Sequence, residues 1–287
     1  MQPTARSGAG RGIACAVTLM AALGACGWPD GAAAPAAGAR DEATAVTVPV
    51  GGRTLAGSCL GAEHPGRPTV VLEPGLGNLG SELNSIAYDI APDARVCSYD
   101  RAGLGRSAPA RTPRTVADLV ADLHAFLAGA GIGPPYVLVG HSLGGSLVLR
   151  YAQEHPDEVA GFVAMNPVPP YTTWLARARR VESAEELRSG VLDYYAGTNA
   201  ESVDLRGTDL ELTEPLAARI PYVVMFAEDC PGDFCDRIRP ALRAATEELS
   251  QVGAGGRFVE VPESGHDIFL GPHSADIVRE IRALLAR

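Results

Sequence analysis

Apolar and polar positions alternate over residues 46–50 and again over 54–60, on either side of Gly51-Gly52. Side chains change face at every residue of a strand, so two alternating runs around a Gly-Gly pair predict a hairpin. Short continuous apolar runs follow at 69–72, 95–99, 136–139, 159–165, 222–226 and 258–261. Runs of this length, bounded by Gly and Pro, read as strands buried on both faces. Between them the apolar period changes to that of a helix. The clearest helix covers 115–129, where Val116, Leu119, Val120, Leu123, Phe126 and Leu127 form one stripe and Thr115 with Asp118 makes a capping box. His124 lies beside the stripe and reads as a packed or surface residue. Residues 147–155 predict another helix, and Ile277, Val278, Ile281, Leu284 and Leu285 mark the last. Strand and helix alternate, which calls for a mostly parallel sheet.

One junction carries chemistry. The run Tyr136-Val137-Leu138-Val139 ends in Gly140-His141-Ser142-Leu143-Gly144, and a helix follows. Gly-x-Ser-x-Gly between a strand and a helix puts a serine at the apex of a strained turn. Gly140 and Gly144 are required because a Cβ at either would clash where strand and helix nearly touch. The serine then sits at a helix N-terminus, where free N–H groups stabilise negative charge.

From about Ala43 to the C-terminus the chain resembles the α/β-hydrolase family of serine hydrolases. The resemblance implies an α/β fold: a mostly parallel sheet of the eight-stranded type, helices on both faces and a small helical cap. The turn Glu73-Pro74-Gly75-Leu76-Gly77 stands where that family has a His-Gly-x turn, so Leu76 is expected to lend its backbone N–H to an oxyanion hole together with Leu143. Glu73 departs from the usual His. Asp100-Arg101-Ala102-Gly103-Leu104-Gly105-Arg106-Ser107 matches a family turn whose role is structural, with a buried Asp–Arg contact expected. The family also places a cap at about 167–216. There Tyr171, Trp174, Tyr194 and Tyr195 either line an acyl pocket or form the core of the cap, and His141 is expected to line the pocket.

A rival reading shares this stretch. Gly75-Leu76-Gly77-Asn78-Leu79-Gly80 is a literal Gly-x-Gly-x-x-Gly after a strand, and Asp100 follows about twenty residues on, as in a dinucleotide fingerprint. The preceding hairpin and an exported setting argue against it. No cofactor and no metal are expected.

A serine hydroxyl is a poor nucleophile until an imidazole takes its proton and a carboxylate fixes that imidazole's tautomer. The hydrolase order is serine, acid, histidine, each after a strand. Ser142, Asp229 and His266 fit it, and Glu228 and Asp233 are alternative acids in the same loop. The activity implied is carboxylic-ester hydrolysis through an acyl-enzyme. Aminopeptidase-like, carbon–carbon bond hydrolase and perhydrolase chemistries share the fold, and a catalytically silent ligand-binding lipoprotein is the reading of another class.

The N-terminal segment shapes the setting. Residues 1–25 carry Arg6 and Arg11, an apolar stretch and then small residues, the pattern of a secretory signal. Leu23-Gly24-Ala25-Cys26 resembles a bacterial lipoprotein cleavage box, which would make Cys26 the lipidated first residue of a membrane-anchored, extracytoplasmic protein. An ordinary signal cut near Ala34 or Ala37 and a secreted soluble product is the alternative. Residues 26–42 read as a flexible tether and 43–287 as the hydrolase domain. The formal net charge of −10 over the whole chain argues against nucleic acid as a partner; a small ester or acyl substrate is expected. Cys230 and Cys235 bracket a short Pro-Gly loop and are easily bridged. Cys59 and Cys97 fall in the second and fourth predicted strands, which are neighbours in the resembled family, so a second disulfide is expected there in an oxidising compartment.

Overall fold

The computed structural model describes residues 42–180, 199–206, 212, 214–227 and 233–287, the first three of the last stretch by backbone alone. The proposed signal, Cys26 and the tether up to residue 41 lie outside the described residues, as do 181–198, 207–211 and 213 of the expected cap and the loop carrying Glu228, Asp229 and Cys230.

Eight strands form one sheet in the order β1-β2-β4-β3-β5-β6-β7-β8. They are β1 (Thr44–Val50), β2 (Arg53–Leu60), β3 (Thr69–Glu73), β4 (Val96–Asp100), β5 (Tyr136–His141), β6 (Val159–Met165), β7 (Tyr222–Ala227) and β8 (Gly256–Val261). β1 and β2 pair antiparallel about Gly51 and Gly52, both at positive φ (55° and 77°), the left-handed pair that a two-residue hairpin turn requires. β2 also meets β4 antiparallel, and from β4 onward every neighbouring pair is parallel. The central strands β3, β4 and β5 are buried at every residue, as their unbroken apolar runs predict.

Among the described residues, helices α1 (Asn84–Ile90), α2 (Val116–Gly129), α3 (Leu143–Glu154), α4 (Tyr171–Ala178), α5 (Asp233–Leu249) and α6 (Ser274–Leu285) accompany the sheet. The capping box of α2 is formed in both directions: Thr115 N–H donates to Asp118 Oδ2 at 2.8 Å, and Asp118 N–H donates to Thr115 Oγ1 at 3.2 Å. All six residues of its predicted stripe are buried. The sheet separates two cores, one containing α2 and α3 with Trp174, the other containing α1 and α6. None of the described helices is long and apolar enough to cross a membrane.

In register, Cys59 of β2 faces Cys97 of β4. Their Cα atoms are 4.1 Å apart and the two sulfurs are bonded.

Candidate active site

β5 ends at His141, and Ser142 turns the chain into α3. Its backbone takes φ 53° and ψ −118°, a strained conformation for a side-chain-bearing residue that persists only when neighbours over-determine it. They do: Ser142 N–H donates to Met165 O at 2.9 Å, while Ser142 O accepts from Gly145 N at 3.0 Å and Val168 N at 3.2 Å. A Cβ on Gly140 would stand 2.1 Å from Gly144 O, and one on Gly144 would stand 2.1 Å from Glu73 O. The glycines therefore let β5, α3 and the end of β3 converge. Leu143 is the first residue of α3, so its N–H lacks an intrahelical acceptor and stands at the positive end of the helix.

The 73–77 turn lies against this elbow. A Cβ on Gly75 would be 3.1 Å from His141 Nδ1 and 3.5 Å from Ser142 Cβ, which puts the Gly75-Leu76 backbone beside Ser142. Arg101, 1 % exposed, holds the turn. Its Nη1 donates to Glu73 Oε1 and to Pro74 O, both at 2.8 Å. Nη2 donates to Gly75 O at 2.5 Å and to Glu201 Oε1 at 2.6 Å, and Nε donates to Glu201 Oε2 at 2.8 Å. Glu201 in turn accepts from Gly77 N–H at 2.7 Å. Two carboxylates thus share one buried guanidinium. Glu201 is held below the usual carboxylate range by Arg101 and Gly77 against the cost of its burial. Glu73 is pushed up to about 7, because its desolvation outweighs the attraction of Arg101.

This corrects the expected buried Asp–Arg contact, since Arg101 meets glutamates instead. Asp100 accepts from the backbone N–H of Gly80 and of Arg106, both at 3.1 Å, and its nearest guanidinium, Arg106, is 3.8 Å away and mostly exposed. The carboxylate closes the 100–107 turn. The Gly-x-Gly-x-x-Gly run has a packing explanation as well: a Cβ on Gly80 would lie 2.8 Å from Tyr99 O.

His266 follows β8. Ser264 Oγ donates to Val261 O at 2.6 Å and closes the turn that presents it. His141 Nε2 is 2.9 Å from His266 O, and the two rings are 4.8 Å apart. His141 is only 1 % exposed, so it supports the His266 loop from below and does not line an open pocket wall. Trp174 is likewise 1 % exposed and belongs to the main core, with half-buried Tyr171 packed against that core. Of the two readings of these aromatics, the core reading describes Trp174. Burial lowers the His266 pKa below the usual histidine value, and the neighbouring His141 lowers it further, against the opposing pull of Asp267 and Glu82.

Sequence reasoning missed Asn166. It follows the last residue of β6 at φ 46°. Its backbone N–H donates to Met225 O at 2.8 Å, its Oδ1 accepts from Ala227 N at 3.4 Å, and its Nδ2 lies 2.7 Å from His266 Nδ1. One amide side chain therefore links the ends of β6 and β7 to the histidine after β8. Its only local signal is a polar residue ending an apolar strand. Asp229, Glu228, Cys230 and the side chains of Asp233 and Cys235 lie outside the described residues.

Ser142, Leu143, Leu76 and His266 are thus carried by the C-terminal ends of β5, β3 and β8. Two described groups of histidine and carboxylate are close enough to share a cation. One is His141, His266 and Asp267, where His141 Nε2 already engages a carbonyl.

The α/β hydrolase fold family model matches residues 68–217. That is more than half of the chain, which belongs to this family. Among curated proteins, the chain is 36 % identical over 135 residues to the putative carbamate hydrolase RutD of Yersinia enterocolitica, covering 47 % of this chain and 48 % of that one. It is 32 % identical over 99 residues to the uncharacterized protein YqjL of Bacillus subtilis, covering 34 % and 39 %. The match thus spans less than half the length of either relative. Among solved structures, the enol-lactonase of Burkholderia xenovorans superposes with TM-score 0.59 at 20 % identity, covering 84 % of this chain and all of that one. The carboxylesterase CesB of Bacillus subtilis does so with TM-score 0.59 at 17 % identity, covering 85 % and 92 %. At such identities the likeness describes the fold.

Proposed function

We propose that the protein is a serine hydrolase of carboxylic esters, exported and anchored through a lipidated Cys26. The observation that carries the catalytic reading is the strained Ser142 turn, locked against the Gly75-Leu76 backbone and placed on the same edge of the sheet as His266. A neutral His266, favoured by its lowered pKa, takes the proton of Ser142 Oγ as that oxygen bonds to the ester carbonyl carbon. The carbonyl oxygen gains the negative charge and is met by the N–H groups of Leu76 and Leu143, an arrangement worth roughly 3–4 kcal/mol per donor in transition-state stabilisation. The protonated imidazole gives its proton to the leaving alcohol as the ester C–O bond breaks. Water then attacks the acyl-enzyme with His266 again as base, releasing the acid and restoring Ser142. For this role Nδ1 must carry the proton and exchange the Asn166 amide for Asp229, the acid assigned to orient His266 and stabilise its imidazolium, which leaves Nε2 free as the base. The export reading rests on the N-terminal sequence pattern and is supported by the Cys59–Cys97 bond, which persists in oxidising compartments. Globomycin-sensitive processing and palmitate labelling, both lost in Cys26→Ala, would test it.

The name of the RutD relatives adds carbamates to the substrate classes worth assaying. Attack at an aryl carbamate carbonyl uses the same nucleophile and oxyanion donors and again expels the phenol, leaving a carbamoyl-enzyme in place of the acyl-enzyme for water to hydrolyse. Parallel turnover of p-nitrophenyl esters and p-nitrophenyl carbamates separates the two. Faster ester turnover supports the proposal, whereas carbamate-only turnover would replace its substrate class while keeping its machinery. Absence of any labelling of Ser142 by a serine-directed phosphonate would favour a silent ligand-binding lipoprotein instead.

A further inference from the structure

At the opposite end of β5 from Ser142, three metal-ligating side chains from different elements converge. His124 comes from α2, His155 caps the C-terminus of α3, and Glu158 lies in the turn that leads to β6. We propose that His124, His155 and Glu158 form a binding site for one divalent transition-metal ion, zinc by its donor set.

Their donor atoms all lie within 4.8 Å of one another. His124 Nε2 is 3.2 Å from Glu158 Oε1, close to the ligand–ligand separation of a tetrahedral zinc with bonds of about 2.0–2.1 Å. The imidazole of His155 stacks on that of His124 with centroids 4.1 Å apart and planes 3° from parallel. All three residues are half-buried, so rotation of the partly exposed His155 ring can bring its nitrogen to the remaining gap. Two imidazoles and one carboxylate suit a borderline-soft divalent ion better than calcium or magnesium, which prefer all-oxygen sets.

The surroundings are built around the carboxylate. Tyr151 Oη donates to Glu158 Oε2 at 2.5 Å, orienting the carboxyl and leaving Oε1 toward the histidines. The Glu158 backbone is fixed at both ends, its N–H donating to His155 O at 3.0 Å and its carbonyl accepting from Tyr136 N at 2.8 Å. Ligating carboxylates are characteristically held by such outer hydrogen bonds. A cleft of about 250 Å³ opens beside the cluster, lined by His124, Ile132, Pro134, Tyr136 and Glu158 among others, and gives water access to the fourth position of a tetrahedral ion. An ion here would clamp α2 to the end of α3, two elements that flank the nucleophile strand, without entering the reaction.

The test uses untagged full-length protein, stripped with chelator and desalted, and zinc chloride alone as the titrant in calorimetry. Wild type is expected to bind one equivalent at micromolar affinity or better, and His124→Ala and Glu158→Gln each to weaken that event at least 100-fold. His266→Ala is expected to retain it, because the site near Ser142 is separate. Thermal unfolding of each variant without metal shows that it is folded, and zinc should raise the midpoint of wild type and His266→Ala only. Lack of stoichiometric binding by wild type overturns the proposal. So does binding unchanged in both His124→Ala and Glu158→Gln, or binding lost only in His266→Ala, which would put the ion on His141, His266 and Asp267.

Discussion

The most demanding residues in the site are those that cannot carry a larger neighbour or a different charge. A methyl group on Gly144 would stand 2.1 Å from Glu73 O and 2.6 Å from Pro74 O, both backbone atoms with no freedom to yield. Gly144→Ala is therefore expected to lower stability by about 2–3 kcal/mol, as over-packing of a close contact does, and to displace the 73–77 turn from Ser142. Denaturant unfolding and ester turnover measure the two effects, and near-wild-type values of both would contradict the packing. In the proposed mechanism His266 sets the pH response. Its folded pKa lies below the ordinary histidine value, so the imidazole stays neutral to lower pH and the acid limb of kcat/KM is expected below about 6.5. Asn166 tunes the same group by contact with Nδ1. Asn166→Asp should favour the imidazolium and move that limb to higher pH, and an unmoved limb would show that the contact does not act on the ring. Asn166 is a positioning residue in this account, not a catalytic one.

At the scale of elements, the β3 turn depends on a distant segment. Arg101 follows β4 and meets Glu73 of β3 and Glu201 of the 199–206 segment, all at most 7 % exposed. Removing one partner of a buried ion pair leaves the other uncompensated, at a cost of about 3–5 kcal/mol. Glu201→Ala is expected near that range and to loosen Gly77, lowering kcat more than it raises KM; an unchanged unfolding midpoint would refute the linkage. Glu73 behaves differently. Its folded pKa of about 7 exceeds the ordinary 4.5, so the native state binds the extra proton. The stabilisation from this is complete below about pH 4.5 and is lost as pH rises through 7. Glu73→Gln, which mimics the protonated form, should therefore gain on wild type between pH 5 and pH 8 by about 1–3 kcal/mol. A pH-independent difference in unfolding free energy would contradict it.

For the whole molecule, the sheet is legible in the sequence because each core strand is a short apolar run that both faces bury, and α2 is legible because its cap and stripe are local. Bounds differ by a residue where periodicity is silent: the run at 95–99 becomes Val96–Asp100, since the ladder with β3 begins at Val96. The placement of Ser142 and His266 is legible for the same local reason, each lying in its own turn after a strand. Glu201 and Asn166 are not. Each acts on a partner one hundred residues away, and nothing in its neighbours along the chain signals that contact. The turn motif suggests the adjacent Asp100 as the partner of Arg101, whereas backbone N–H groups occupy that carboxylate.

The Cys59–Cys97 bond closes a loop over a sequence separation of 38 residues. Constraint of the unfolded chain by such a loop contributes about 2–4 kcal/mol. The Cys59→Ala/Cys97→Ala variant should unfold at correspondingly lower denaturant, and an unchanged midpoint would deny the bond a stabilising role.

The central claim is that Ser142, at the strained end of β5, is the nucleophile of an ester hydrolase. It is tested most directly by hydrolysis of p-nitrophenyl esters from acetate to palmitate, comparing wild type with Ser142→Ala. Turnover by wild type and a loss of at least about 10³-fold in the variant is the expected result, with chain-length preference separating esterase from lipase. Equal turnover by the two proteins, or none by wild type on any ester, would contradict it.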